Sequence, residues 1–245
     1  MSKKVFLGVG HGGADFGASK YLIEKDLNLA MAKFCKDFLN KYNVEVKMSR
    51  EKDENDPIMD EAKECNAFDP DLAIDIHNNS GNAEGFEAYY HFRGGKSKTL
   101  ASNIEKEIVS IGQKSRGIKT KVNSYGKDYF AFIRETRCPS VIVEGCFVDN
   151  KKDSQKADES HEQKAFGEAY AKGILKTLGI PINDQSIKVG DKVKVLKNVQ
   201  YGTNKIFKLY YDKYDVLAIT GDRVVIGIGK TITAAIDIKN LKEYI

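Results

Sequence analysis

Two of the four histidines in this 245-residue chain stand at the ends of short apolar runs. His11 follows Val5–Val9 with only Gly10 between them, and His77 follows Leu72–Ile76 directly. A carboxylate repeats the pattern, because Glu144 follows Val141–Val143 directly. Runs this short and apolar predict buried strands. In an open α/β sheet, ligands bind in the crevice beyond the carboxyl ends of parallel strands. If these strands are parallel neighbours, the three side chains meet at one edge. Glu24 adds a fourth group, because it opens the first predicted helix, three residues before Leu27, and that helix starts from the same edge. Two imidazoles and a carboxylate suit zinc and leave a position open for water. A second carboxylate beside that water would act as general base and then as proton donor to a leaving group.

Each residue also has a plainer reading. A histidine at a strand end is often only a hydrogen-bonded residue, and one glutamate among 35 acidic residues carries no weight alone. Gly10-His11-Gly12-Gly13 fits a flexible turn or a phosphate-cradling loop as well. No Lys-Ser/Thr pair follows these glycines, which argues against nucleotide binding. His91 and His161 are expected at the surface. Spacing alone therefore reaches as far as a zinc hydrolase.

The elements that must position these groups alternate along the first 180 residues, as in an α/β fold with a mostly parallel sheet flanked by helices. Strands are predicted at 5–9, 44–48, 72–76, 87–92, 130–133 and 141–143. Helices are predicted over 22–40, where Leu27, Met31, Phe34, Cys35 and Phe38 share a face, and over 57–68, 97–112 and 161–178. Gly179 and Pro181 end the last one. Asn183-Asp184-Gln185-Ser186 then reads as a polar linker. Beyond it, short β-rich runs (Lys192–Leu196, Asp215–Ile219, Val224–Ile228, Ala234–Ile238) alternate with turn signals. Two domains follow, 1–180 and 187–245, the second a small all-β SH3-like barrel.

No apolar run is long enough to span a membrane, and Val5–Val9 is too short for the core of a secretory signal. The expectation is a protein made in the cytoplasm, without a signal peptide or membrane partner. The four cysteines show no CxxC pair and read as free thiols. Residues 1–182 carry equal numbers of basic and acidic groups, whereas 183–245 carry 11 basic and 7 acidic, so the whole excess of +4 sits in the last quarter. Such a field points to an anionic partner, nucleic acid or wall polymer, but four charges make only a modest one, and of the two the wall polymer, not nucleic acid, is the expected partner.

Over about residues 4–178 the chain resembles the N-acetylmuramoyl-L-alanine amidase family 3, the zinc amidases of bacterial autolysins and phage lysins. The resemblance runs through Gly10-His11-Gly12-Gly13, Gly17-Ala18, Glu24 to Leu29, Ser49-Arg50 and Asp75-Ile76-His77-Asn78-Asn79. It continues through Gly85-Phe86-Glu87, Arg116-Gly117, Val141 to Phe147 and Asn150. It implies that His11, Glu24 and His77 bind zinc and that Glu144 is the catalytic carboxylate. The implied reaction is hydrolysis of the amide between N-acetylmuramic acid and the L-alanine of the peptidoglycan stem peptide. The chain departs from the family pattern at Phe16, where proline is usual, at Asp75, where serine is usual, and at Glu61, where arginine is usual. These departures bear on substrate contacts rather than on the reaction.

The second domain resembles the SH3-type wall-binding modules of lysins, through Lys188 to Val195 and Gly221 to Gly227, with Tyr201, Tyr210, Tyr211 and Tyr214 as candidate contacts. The reading favoured is a phage endolysin that reaches the wall through a pore made by another protein. A bacterial autolysin or mother-cell-lysis amidase is the alternative, ahead of a zinc carboxypeptidase or an inactive wall-binding protein.

Overall fold

The computed structural model describes residues 2–182, 187–203 and 205–244. Contacts divide the chain into two compact units, Met1–Ile182 and Asn183–Ile245. The predicted linker Asn183–Ser186 lies outside the described residues. Among those described, no helix is long and apolar enough to cross a membrane.

The first unit is a mixed sheet flanked by helices. Its strands are β1 (Lys4–Val9), β2 (Glu45–Met48), β3 (Leu72–Asn79), β4 (Phe86–Tyr90), β5 (Ser115–Lys119) and β6 (Ser140–Phe147), in the spatial order β2-β1-β3-β6-β4-β5. Only the β4–β6 pair is antiparallel. The helices are α1 (Glu24–Asn40), α2 (Ile58–Phe68), α3 (Lys96–Ser110), α4 (Ala131–Glu135), α5 (Lys151–Ser154) and α6 (Ser160–Leu178).

Strands β1, β3 and β6 are covered on both faces, which is why they read as nearly continuous apolar runs. Val5, Leu7 and Val9 face one core, with Met31 and Cys35 of α1 and Tyr170 of α6. Phe6, Ala73 and Ile142 point the other way, into a smaller cluster with Cys65 of α2 and Phe132 of α4. The chain leaves β1 for β2 on one side and β3 for β4 on the other. The two strands therefore end side by side at the topological switch point, where such sheets open a crevice.

Several predicted elements are corrected. Strands β3 and β6 run on through His77 and Glu144, which pair directly, so both residues lie inside strands. Backbone pairing does not depend on apolar side chains, and the ladder outlasts the apolar run. The stretch 130–133 is not a strand: residues 131–135 form α4, with Phe132 and Ile133 sealing the smaller cluster. Cys146 lies within β6, and all four cysteines are free.

The second unit is all β. Strands β7 (Lys192–Val195), β8 (Tyr214–Thr220), β9 (Arg223–Ile228), β10 (Thr231–Asp237) and β11 (Leu241–Glu243) form one antiparallel sheet in the order β10-β9-β8-β7-β11. A bridge from Gln200 to Ile236 ties the segment after β7 to the edge strand β10. Tyr214 is no surface contact: it is 1% exposed, and its hydroxyl accepts hydrogen bonds from the amides of Tyr210 and Tyr211. Tyr201, Tyr210 and Tyr211 are exposed.

Candidate metal centre and active site

Residues two apart on a strand share a face. On the face covered by α2, Gly8, Asp75 and Ile142 form one row across β1, β3 and β6. The next row, at the carboxyl edge, holds His77, Glu144 and, on β4, Glu87. Gly10 lies beside His77, and a Cβ there would stand 2.2 Å from the ring, so only glycine lets the imidazole cross β1.

Glu24, the first residue of α1, reaches over this row. Its Oε1 lies 3.3 Å from His11 Nε2 and 3.0 Å from His77 Nδ1. The amide of Ala18 donates to Oε2 at 2.8 Å and that of Asn78 to Oε1 at 3.2 Å. The two imidazoles meet edge to face, with centroids 5.0 Å apart. One donor atom from each of His11, Glu24 and His77 lies within 4.8 Å of the others, so the three could hold a metal ion. The outer nitrogens face carboxylates, as those of ligating histidines commonly do. His11 Nδ1 is 2.9 Å from Asp15, and His77 Nε2 is 3.3 Å from Asp75, an ion-pair contact outside hydrogen-bond geometry.

The electrostatics separate the two glutamates. Burial alone would raise the Glu24 carboxyl, but hydrogen bonds from His11 and His77 outweigh it and hold the group well below the usual carboxylate range. The bond to Glu24 raises His11 against the effect of burial. Burial would lower His77, yet Asp75 and Glu24 bring it well above its ordinary value. Glu144 is pushed up to about 7 by burial, which His77 opposes and Glu24, Asp75 and Glu87 reinforce. A carboxyl poised there can both take and return a proton near neutrality.

The loop that carries His11 is held by its backbone. His11 itself is left-handed, with φ 64. Arg50, 2% exposed, donates to the carbonyls of Val9 (3.0 Å), Lys25 (2.7 Å), Lys52 (3.1 Å) and Gly10 (3.4 Å). Asn28 adds a bond to the Gly10 carbonyl at 2.9 Å. Beneath the site, Glu61 of α2 closes over Asp75 in the space that Gly8 leaves. Both Asp75 oxygens and Glu61 Oε1 lack hydrogen-bond partners among the described residues. Burial, together with Asp75 and Asp56, raises Glu61 well above its ordinary value.

The four residues singled out by spacing thus lie together, three as a cluster and Glu144 on the neighbouring strand. His91 stands at the opposite edge, 3.1 Å from Asp128, and His161 is exposed on α6. Asp15 was not singled out, although its place four residues after His11 was the signal. The burial of Asp75 and Glu61 was not legible.

Residues 5–176 match the family model described as N-acetylmuramoyl-L-alanine amidase. The chain belongs to that family. The amidase is 34% identical over 190 residues to an endolysin of Bacillus phage SPP1, covering 74% of this chain and 68% of the phage protein. It is 32% identical over 185 residues to the N-acetylmuramoyl-L-alanine amidase CwlM of Bacillus licheniformis, covering 74% of this chain and 70% of CwlM. The crystal structure of N-acetylmuramoyl-L-alanine amidase from Clostridium difficile 630 matches it with a TM-score of 0.67 at 31% identity, over 73% of this chain and 97% of that one. The amidase is a hydrolase whose substrate class is cell-wall peptidoglycan. The family match ends within α6, before the second unit.

Proposed function

We propose that the amidase cuts the bond between the lactyl carboxyl of N-acetylmuramic acid and the stem peptide's L-alanine, with zinc held by His11, Glu24 and His77 and with Glu144 as the catalytic carboxylate. The observation that carries this reading is the Glu24 oxygen placed between two imidazole nitrogens, with Glu144 paired to His77 on the next strand. Two imidazoles and a carboxylate, with carboxylates behind both rings, fit zinc. Bound there, zinc supplies polarisation of the scissile carbonyl and a lowered pKa for the attacking water. Glu144 takes the proton from that water and hands it to the departing alanine nitrogen.

We read the second unit as an SH3-like wall-binding module. Its charge excess and the exposed Tyr201, Tyr210 and Tyr211 support contact with anionic wall polymers and peptidoglycan. Release from the cytoplasm to lyse a host belongs to the same proposal, supported by the likeness to a phage endolysin. Digestion of purified walls tests the chemistry. New alanine amino groups without new reducing sugars are expected; reducing sugars, or free C-terminal amino acids, would replace the amidase reading by a glycosidase or a carboxypeptidase.

A further inference from the structure

The row that contains His77 and Glu144 continues onto β4, where Glu87 stands directly opposite Glu144. Glu87 is 4% exposed, and its Oε1 receives two cations, Arg116 Nε at 2.5 Å and Lys119 Nζ at 2.7 Å. Both come from the edge strand β5, whose register shifts between Phe86 and Ala88, opposite Glu87. One carboxylate needs one cation for neutrality, so this pairing leaves a positive charge in excess. Arg116 uses Nε alone, and among the described residues its two terminal nitrogens have no hydrogen-bond partner. Its guanidinium packs 5.4 Å from the Phe147 ring centroid, and the side chain is 40% exposed. A guanidinium fixed at Nε and against a ring, with its terminal nitrogens free, presents the fork that a carboxylate takes with two hydrogen bonds.

Direction and reach identify what arrives there. Glu144 protonates the leaving nitrogen, so the leaving peptide lies on the Glu144 side of the cluster, towards β4 and β5. Strands are spaced about 4.8 Å apart, which puts β4 roughly 10 Å from β3. An extended chain advances about 3.5 Å per residue, so the fork stands about two to three residues beyond the scissile bond.

We propose that Arg116, with Lys119 beside it, is an anion subsite that binds a free carboxylate on the second or third residue of the leaving peptide. Assigning that peptide to the wall rests on the amidase reading above. The enzyme would then prefer stem peptides whose carboxylate is free over those in which it is a carboxamide.

The test uses the zinc-loaded full chain and synthetic N-acetylmuramoyl tripeptides with a carboxamide at the second residue, the third, or neither. Amidation at one of these positions should lower kcat/KM about tenfold or more, mainly through KM. In R116Q the ratio should collapse towards one. R116K, which keeps a charge for Glu87 but lacks the fork, should lose most of the ratio too and guards against a folding defect in R116Q. Equal kcat/KM for all three substrates in the wild type, or an unchanged ratio in both variants, would overturn the proposal. Calorimetry of the free tripeptides against E144Q separates this from the choice of scissile bond. Tighter binding of the carboxylate form that depends on Arg116 upholds the subsite even if another bond is cut, and binding indifferent to Arg116 sinks it.

Discussion

The two units handle polar groups in opposite ways. Among the described residues, every buried charged, amide or serine side chain lies between Glu24 and Ser154, whereas the buried polar group of the Asn183–Ile245 unit is the Tyr214 hydroxyl. Its core is Val193, Val216, Val224, Ile226 and Ile236 around Tyr214, while Tyr210 and Tyr211 are 69% and 57% exposed. Buried charge is costly unless paired. A surface that only adheres can leave its polar groups in water. A site that holds a metal and moves a proton, as proposed for this one, must draw them inside and surround them with partners, as Glu24, Arg50 and Glu87 are surrounded. The first unit carries that cost where the chemistry is.

Breaking the site that this network surrounds should therefore have the largest effect. E144Q should lower turnover by about 10²–10⁴-fold, while zinc content and thermal midpoint stay at wild-type levels. H77A should lose zinc and turnover together. If elemental analysis found E144Q as depleted in zinc as H77A, the roles of base and ligand would have to be exchanged. A crowding change at the same place should come next. In G10A the new methyl meets the His77 ring, so turnover should fall about 100-fold with the fold kept, as judged by circular dichroism. Retained activity would mean that the ring has room the structure does not show.

A smaller effect concerns stability. Glu61 is raised above its ordinary value in the folded state. Its contribution is thus fully present in acid, below the unfolded value, and is lost as pH climbs through the folded one. E61Q, a neutral side chain of the same shape, should melt a few degrees above wild type at pH 8, with the gap narrowing towards pH 4. A gap independent of pH would mean that Glu61 is not the group responsible. The smallest effect is expected from the other unit. Removing 183–245 should slow lysis of intact walls and remove part of its salt dependence, yet leave cleavage of a soluble muramoyl peptide unchanged. Equal loss on both substrates would tie the second unit to the chemistry.

The sequence was most legible where one physical cause dominated. The apolar runs of β1, β3 and β6 announced buried strands, and the start of α1 placed Glu24 at the right edge. Strand β5 gives no strand signal in the sequence because its residues are polar and its period is broken at Gly117, with φ 92, beside the bulge. The α4 stretch reads as a strand because Phe130–Ile133 is rich in strand-forming types and too short for periodicity to decide. The charged network around the site was legible only in outline. Asp75 and Glu61 stood out as departures from a pattern, but their joint burial beneath His77 depends on α2 crossing Gly8, which no local signal encodes.

Arg50 gives its hydrogen bonds to main-chain carbonyls from the end of β1, the first turn of α1 and the stretch after β2. A strap of this kind keeps its shape whatever its neighbours hold. The cradle is then a mould that exists before its content, unlike small metal-nucleated folds that assemble only on loading. If zinc binds as proposed, its uptake should be an encounter rather than a folding event.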